Sequence, residues 1–213
     1  MAVRVDLNVS LDGVAAPADQ TPENPMGADW GRLVEVYLGT RTMRERVLHE
    51  TTGEGTTGVD DRYAREYFDG VAAEIMGAAM FGLHAFPNDP HWRGWWGEEP
   101  PFRGPVLVLT HRERPPIGFG NGTRFEFLAA TPADALARAR EYAGGSDIRV
   151  GGGVSVVRDF LAAGLVDRLH VAISPIVLGR GVRLWDDLRA LERDYTVTSE
   201  VAESGVIHVT FAR

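Results

Sequence analysis

The sequence predicts a single α/β domain spanning residues 1–213, with a mostly parallel central sheet, helices on both faces and a C-terminal antiparallel hairpin. Three observations carry this. Short apolar runs alternate with segments of helical period, the order that lays strands in parallel with helices between them. The run Val106–Thr110 (VLVLT) is apolar until its last residue, as a strand covered on both faces requires. The last two apolar stretches are separated by Gly205, a turn residue. At 213 residues the chain can bury one good core and is short for two ordinary domains.

Each element follows in order. Val3, Val5, Leu7 and Val9 alternate with Arg4, Asp6, Asn8 and Ser10, a period of two that marks a first strand ended by Asp12-Gly13. Residues 16–30 (APADQTPENPMGADW) are rich in Pro, Asn, Asp and Gly and form a loop. Leu33, Val36, Tyr37 and Met43 then give a helical face. Residues 51–61 are a second loop, and Asp60 or Asp61 is the expected cap of the helix carrying Tyr63, Tyr67 and Phe68. Val71–Met76 is a buried strand, followed by Gly77 and a short helical turn. Residues 83–105 hold five prolines and three tryptophans without a period, which makes a long loop. Strands are expected at 106–110 and 125–128, and Pro132 opens a helix through Tyr142. Strand 147–150, helix 154–163, strand 168–174 and a final pair near 195–201 and 206–211 complete the chain.

Composition removes several classes of function. A net charge of −8 opposes nucleic acid or an anionic membrane as the main partner, since both reward surplus Lys and Arg. The absence of cysteine removes disulfides, thiolate metal sites and Cys nucleophiles. No run approaches the roughly 18 apolar residues of a membrane helix. The N-terminal MAVRVDLNVSLDG reads as a strand rather than a signal peptide, so a cytoplasmic protein is expected. His49, His84, His91, His170 and His208 show no ligand spacing, so no metal site is expected, and His170 reads as structural.

Gly151-Gly152-Gly153 stands between a strand and a helix. Helix starts present unpaired N–H groups and partial positive charge, and glycines let a phosphate approach them, with the Ser155 hydroxyl close by. The bland reading is a tight turn with close helix–strand packing; the spacing is neither GxGxxG nor GxxxxGK[ST] and leaves both open. Thr110-His111-Arg112 ends another strand, and ligands of open α/β sheets bind at such ends. An Arg there suits a phosphate fork, although a solvated loop is the plainer reading. Met76-Gly77-Ala78-Ala79-Met80-Phe81 repeats the strand–glycine–helix pattern. Three anion-friendly strand ends together suit a dinucleotide.

NVSLDG, IMGAAMFG, WRGWWGEEPPFRGPVLVLTHR and RVGGGVSVVRDFLAAGLVDRLHVAISPIVLGRGVRLW resemble the dihydrofolate-reductase-like superfamily. Within it they are most similar to the reductase domain of bacterial riboflavin biosynthesis and its stand-alone relatives, over nearly the whole chain. The resemblance implies an NADPH-dependent reductase with an eight-stranded sheet, acting on a pterin- or pyrimidine-like C=N or C=O. It implies that Gly151, Gly152, Gly153, Val154 and Ser155 hold the pyrophosphate, with Thr110, His111 and Arg112 near the adenosine 2′-phosphate. Gly77, Ala78 and Met80 belong to a second phosphate-binding helix start. Asn8, Ser10 and Gly13 lie beside nicotinamide and substrate, and Pro175, Leu178 and Gly179 close the pocket. The chain departs from the pattern where relatives carry an Arg (here Ala78-Ala79), a Lys (here Asp6) and a Glu before the glycines (here Val150). Those changes, and the lack of a fused deaminase domain, point away from the riboflavin precursor as substrate.

Reduction also needs a proton. Asp12, at the end of the first strand, is the expected donor, with Asn8 and Ser10 orienting substrate. Dihydrofolate-type chemistry wants a carboxylate from the first long helix, for which Glu35 and Asp29 are the candidates. Trp92, Trp95 and Trp96 read either as a lid over a flat ring or as a subunit interface. Val197, Val201 and Val209 on the last strands suggest a homodimer. The competing reading is a nucleotide- or heterocycle-binding protein that does not turn over.

Overall fold

The computed structural model describes residues 1–186, 188, 189 and 191–213. In chain order it contains β1 (Val3–Ser10), β2 (Val14–Ala16), α1 (Trp30–Leu38), α2 (Arg41–Arg46), α3 (Val59–Phe68), β3 (Val71–Gly77), α4 (Ala78–Phe81), β4 (Pro105–Leu109), β5 (Ile117–Gly118) and β6 (Arg124–Leu128). Then come α5 (Pro132–Ala143), β7 (Asp147–Gly152), α6 (Val154–Ala162), β8 (Arg168–Ser174), β9 (Val182–Arg183), α7 (Leu191–Asp194), β10 (Thr196–Val201) and β11 (Ile207–Ala212).

The main sheet has nine strands in the order β10-β11-β8-β1-β7-β3-β4-β6-β5. The six from β8 to β6 run parallel, and β10–β11 form the expected antiparallel hairpin. The ninth strand, absent from the eight-stranded expectation, is the two-residue β5 paired antiparallel to β6. A separate pair, β2–β9, was illegible because neither strand is long enough to show a period. The expected continuous helical face from Leu33 to Met43 is broken at Thr40, whose hydroxyl caps α2.

Alternation sorts the two sheet faces. Val3, Val5, Val9, Ala73, Ile75, Ile148, Val150, Leu169 and Val171 turn to one side and form the largest core with α5 and α6, including Leu136, Val157 and Phe160. On the other side α1–α3 cover the β8-β1-β7 half, and the aromatic segment after α4 covers Met76, Val106, Val108 and Phe125. Under α1 and α3 the second face is polar: Arg4, Asp6, Ser10, Glu74, Arg149, His170 and His208 are all buried.

The long loop is packed rather than free. Trp92 Nε1 donates to Phe81 O at 2.9 Å and Trp95 Nε1 to Met80 O at 2.9 Å, which satisfies carbonyls at the end of α4. Phe86 stacks on Trp92, and Trp96 packs on Phe102 and Phe125. The N–H groups of Trp92 and Trp95 are thus engaged, and all three half-buried indoles pack on aromatic neighbours. The capping expectation for Asp60 and Asp61 is corrected. Gly58 occupies the cap position, while Asp61 accepts from the Thr42 amide and Asp60 faces His208. Among the described residues no helix is long and apolar enough to cross a membrane.

Candidate active site

The parallel strands bring the expected strand ends to one edge of the sheet. β1 ends at Ser10 beside the Ser174 end of β8, β7 delivers its glycines there, and β3 and β4 deliver Gly77 and Thr110. The glycines have separate reasons to be glycine. A Cβ on Gly151 would overlap Glu74 Oε1, and one on Gly77 would come within 2.9 Å of Val156 Cγ2 and 3.3 Å of Gly153 N. Gly152 has φ +136°, and a Cβ there would stand 3.1 Å from Met80 Sδ. These three serve close packing. Gly153 differs: nothing lies within 4 Å of where its Cβ would stand.

Gly153 also caps α6, which starts with no side-chain cap and has an exposed Ser155 and a buried Val154 behind it. The first-turn amides of a helix have no intrahelical acceptor. An open, side-chain-free approach to such amides is what a pyrophosphate needs. The residues fit a dinucleotide at this point. They fit less fully at α4, a single turn of four residues whose Met80 side chain leans on the glycines while Ala78 is half-buried. At β4, Thr110 Oγ1 accepts from the Arg112 amide at 3.1 Å, and the exposed Arg112 guanidinium reaches Asn88 Oδ1 at 2.9 Å. His111 is exposed beside it.

The end of β1, where substrate is expected, is a hydrogen-bonded clamp. Ser10 Oγ donates to Asp12 Oδ1 at 2.7 Å and accepts from the Val14 amide at 3.0 Å. The Asp12 carboxylate also accepts from the amides of Leu178 (3.1 Å) and Gly179 (2.8 Å). The Ser10 hydroxyl and these two amides hold the Asp12 carboxyl down at about 2. The expectation of Asp12 as proton donor is therefore corrected: an acid so fully bonded and so strong holds no proton to give at neutral pH. Its work is to fasten the 175–179 loop, and Gly13 (φ +86°) makes the turn that allows it. Ser10 is likewise committed to that turn, and Pro175 stays exposed.

Glu35 and Asp29 are not the buried carboxylate expected of the first helix. Glu35 is exposed, and Asp29 is paired with Arg32 at 3.1 Å and Arg180 at 3.4 Å. One buried acid facing this region is Asp6, on β1 itself. Asp6, Leu7, Asn8, Tyr37, Tyr67 and His170 line a cavity of about 20 Å³, room for one water-sized molecule. Burial raises the Tyr37 and Tyr67 hydroxyls above the usual range, so both stay protonated donors. A larger cavity of about 530 Å³ lies at the opposite end of β4 and β6, between Arg46, His49, Glu99 and Arg103. None of the expected site residues lines it.

Sequence reasoning missed a second buried pair. Arg149 from β7 meets Glu74 from β3 in an ion pair beneath Gly151, with the guanidinium 3.3 Å from the Tyr67 ring centroid. Burial pushes the Glu74 carboxyl up to about 7 against the pull of Arg149. The signal was present: Glu74, Arg149, His170 and His208 each stand alone between two apolar residues of a strand. A charge in the middle of a strand whose two faces are both covered is a buried charge that requires a partner.

Fold and strand-end geometry define the class as an α/β protein with a mostly parallel sheet and a C-terminal antiparallel hairpin. The chain belongs to the family of the RibD C-terminal domain, whose model matches residues 1–207. Among solved structures it is similar to a putative riboflavin biosynthesis protein from Shewanella sp. PV-4, with TM-score 0.58 and 22% identity, covering 100% of this chain and 99% of that one. It is also similar to a diaminohydroxyphosphoribosylaminopyrimidine deaminase/5-amino-6-(5-phosphoribosylamino)uracil reductase from Thermotoga maritima, with TM-score 0.55 and 14% identity. That match covers 99% of this chain and 56% of the Thermotoga chain. The uncharacterized protein YyaP of Bacillus subtilis (strain 168) is 34% identical over 67 residues, which is 32% of this chain and 36% of YyaP.

Proposed function

We propose that this protein is a reductase that uses NADPH to reduce a C=N or C=O bond of a small heterocycle of the pyrimidine or pterin kind. The observation that carries the reading is the open Gly153 at the uncapped start of α6, on the sheet edge where β1, β3 and β4 also end. Family membership supports it, as does the reductase activity named for the Thermotoga relative. Gly151–Gly153, Val154 and Ser155 would hold the pyrophosphate; Arg112 and His111 would reach toward the adenosine end. NADPH, when bound, supplies the hydride.

The chain's own part is placement and proton supply. The phosphate-binding end orients the nucleotide so that a substrate beside Asn8 meets it, which turns a bimolecular encounter into a positioned one. Asp12 fastens the loop of Leu178 and Gly179 at that side. One observation favours the alternative of a binder without turnover: the acid at the end of β1 is consumed by its clamp. Asp6, buried beside Asn8, is a second acid near this end, but it too is held below the usual range, so it answers the objection only as a carrier of a proton from its partner His170. We place the homodimer contact on β10, whose six residues are all exposed and include Val197 and Val201.

The test is to incubate the protein with NADPH and, separately, a 5-amino-6-ribosylaminouracil phosphate and a dihydropterin, and follow loss of dihydronicotinamide absorbance. Turnover of either supports the reading. Nucleotide binding with no turnover across pyrimidines and pterins would favour the binder instead.

A further inference from the structure

The polar face of the sheet holds a row of titratable groups that the strand-end chemistry leaves unused. His208 Nε2 is 2.9 Å from Asp60 Oδ1, His208 Nδ1 is 2.9 Å from His170 Nε2, and His170 Nδ1 is 3.2 Å from Asp6 Oδ1. All four side chains are buried, with exposures from 1% at His208 to 8% at Asp6. The Tyr63 ring lies flat over both imidazoles at centroid distances of 4.2 and 4.1 Å, and its hydroxyl donates to Glu200 Oε1 at 2.8 Å. The groups form a line, not a cage: among the described residues no three His, Asp or Glu converge as a metal site would need.

Three hydrogen bonds in series need three protons, one between each pair. Two neutral imidazoles bring two, and two carboxylates bring none. Either the row holds one proton beyond that complement, or two lone pairs face each other in a dry interior, which is costly. Spacing is what calls for the extra proton, and the surroundings pull on it in both directions. Burial alone would raise the Asp6 carboxyl, but the hydrogen bond and charge of His170, with Arg4 and Arg149 near, hold it below the usual range. Burial pushes His208 below the usual imidazole range, against Asp60 and Glu200. The pair is thus faced by Asp6 from β1, Asp60 and Tyr63 from α3, and Glu200 from β10. Glu200 is already paired with Arg62, whose guanidinium lies 4.4 Å over the Tyr63 ring, so the setting for a cation is made by the two carboxylates in contact, Asp6 and Asp60.

The inner end reaches a cavity that Asp6 shares with Asn8, the residue the proposed function puts beside the substrate. Asp6 lines the small cavity beside Asn8, and its Oδ2 is buried with no hydrogen-bond partner among the described residues. We propose that Asp60, His208, His170 and Asp6 form a relay that stores one extra proton at neutral pH and delivers it, through Asp6, as the proton of the reduction. Storage stands independently of the reductase reading; use of the proton rests on it. In the step, the substrate carbon gains a hydride, supplied by oxidation of the dihydronicotinamide, as its π bond breaks. The nitrogen or oxygen receives the proton that leaves His170 by way of the Asp6 carboxyl. Solvent then restores a proton at the Asp60 end.

The experiment is nitrogen and carbon NMR of the imidazoles and carboxyls at about pH 7, in the native chain and in Asp6→Asn. The expected native spectrum carries one imidazolium charge over the two histidines. In Asp6→Asn the amide donates to His170 Nδ1, and both imidazoles become neutral. Two neutral imidazoles with both carboxylates ionised in the native chain would overturn storage, and so would an unchanged charge in Asp6→Asn. With NADPH and a dihydropterin or ribosylaminouracil probe, Asp6→Asn should lower kcat at least tenfold and reshape its pH profile, with KM for NADPH unchanged. Full kcat in that variant would overturn the donor role. Absence of turnover in the native chain counts against the reductase reading, while the imidazole spectra still decide storage.

Discussion

Asp12 and Glu74 show how environment, rather than residue type, assigns a carboxylate its role. Asp12, held by Ser10 and the amides of Leu178 and Gly179, titrates at about 2, against an ordinary 3.8. Its clamp is complete above the ordinary value and is lost as pH falls through about 2. Carboxyl NMR should therefore find Asp12 ionised from neutral pH down to that point, with the 175–179 amides shifting as it protonates. Glu74 has the opposite sign. Its ordinary value is 4.5 and burial raises it to about 7. Between those values the folded chain keeps a proton that the unfolded chain has released, so Glu74 makes stability fall as pH rises through that window. Removing one partner of its pair should cost more than removing both. Glu74→Ala strands a buried guanidinium at about 3–5 kcal/mol, while Glu74→Met with Arg149→Leu should recover most of that loss in urea denaturation.

At the scale of elements, the segment from β7 into α6 joins packing and function in three consecutive glycines. Gly151→Ala should fail as a folding substitution, because its Cβ would overlap Glu74 Oε1. Gly153→Ala has open space and an extended φ of −68°, so thermal melts should find the fold intact while nucleotide affinity drops at least tenfold. Much of this segment was legible in sequence: the helical face of Val154, Val157, Phe160 and Leu161 and the alternation of Ile148 and Val150 fix strand, glycines and helix in place. What sequence could not divide was the labour among the glycines, since that depends on Glu74 and Met80 arriving from another strand and its following turn. The polar row was half legible. His170 and His208 were visible as lone polar residues in apolar strands, while Asp6 was one polar position of the β1 alternation, and their pairing depends on β8 lying between β1 and β11, which no local pattern reports. Asp12 was misassigned for a related reason, because its partners come from a loop more than 160 positions away.

For the molecule as a whole, one sheet separates two kinds of interior: an apolar side packed on α5 and α6 gives the scaffold its core, and a polar side under α1 and α3 carries the charges. The proposed site lies where both sides reach the carboxyl ends of the parallel strands, the place where open α/β sheets bind ligands. The far edge, β10, is exposed along its length, and an unblocked edge strand invites a second copy. Val201→Lys should shift the protein toward monomer in light scattering, with nucleotide binding unchanged. The central claim is that the Gly153 approach to α6 receives a dinucleotide phosphate, and the most direct measurement is a titration of NADPH against intrinsic tryptophan fluorescence. Trp95 is bonded to the Met80 carbonyl, and Met80 rests against Gly152, so the indoles report on the cradle. Micromolar binding of NADPH that weakens at least tenfold in Gly153→Ala is the predicted result. No binding of NADPH or NADH at millimolar concentration, in a folded protein, would contradict it.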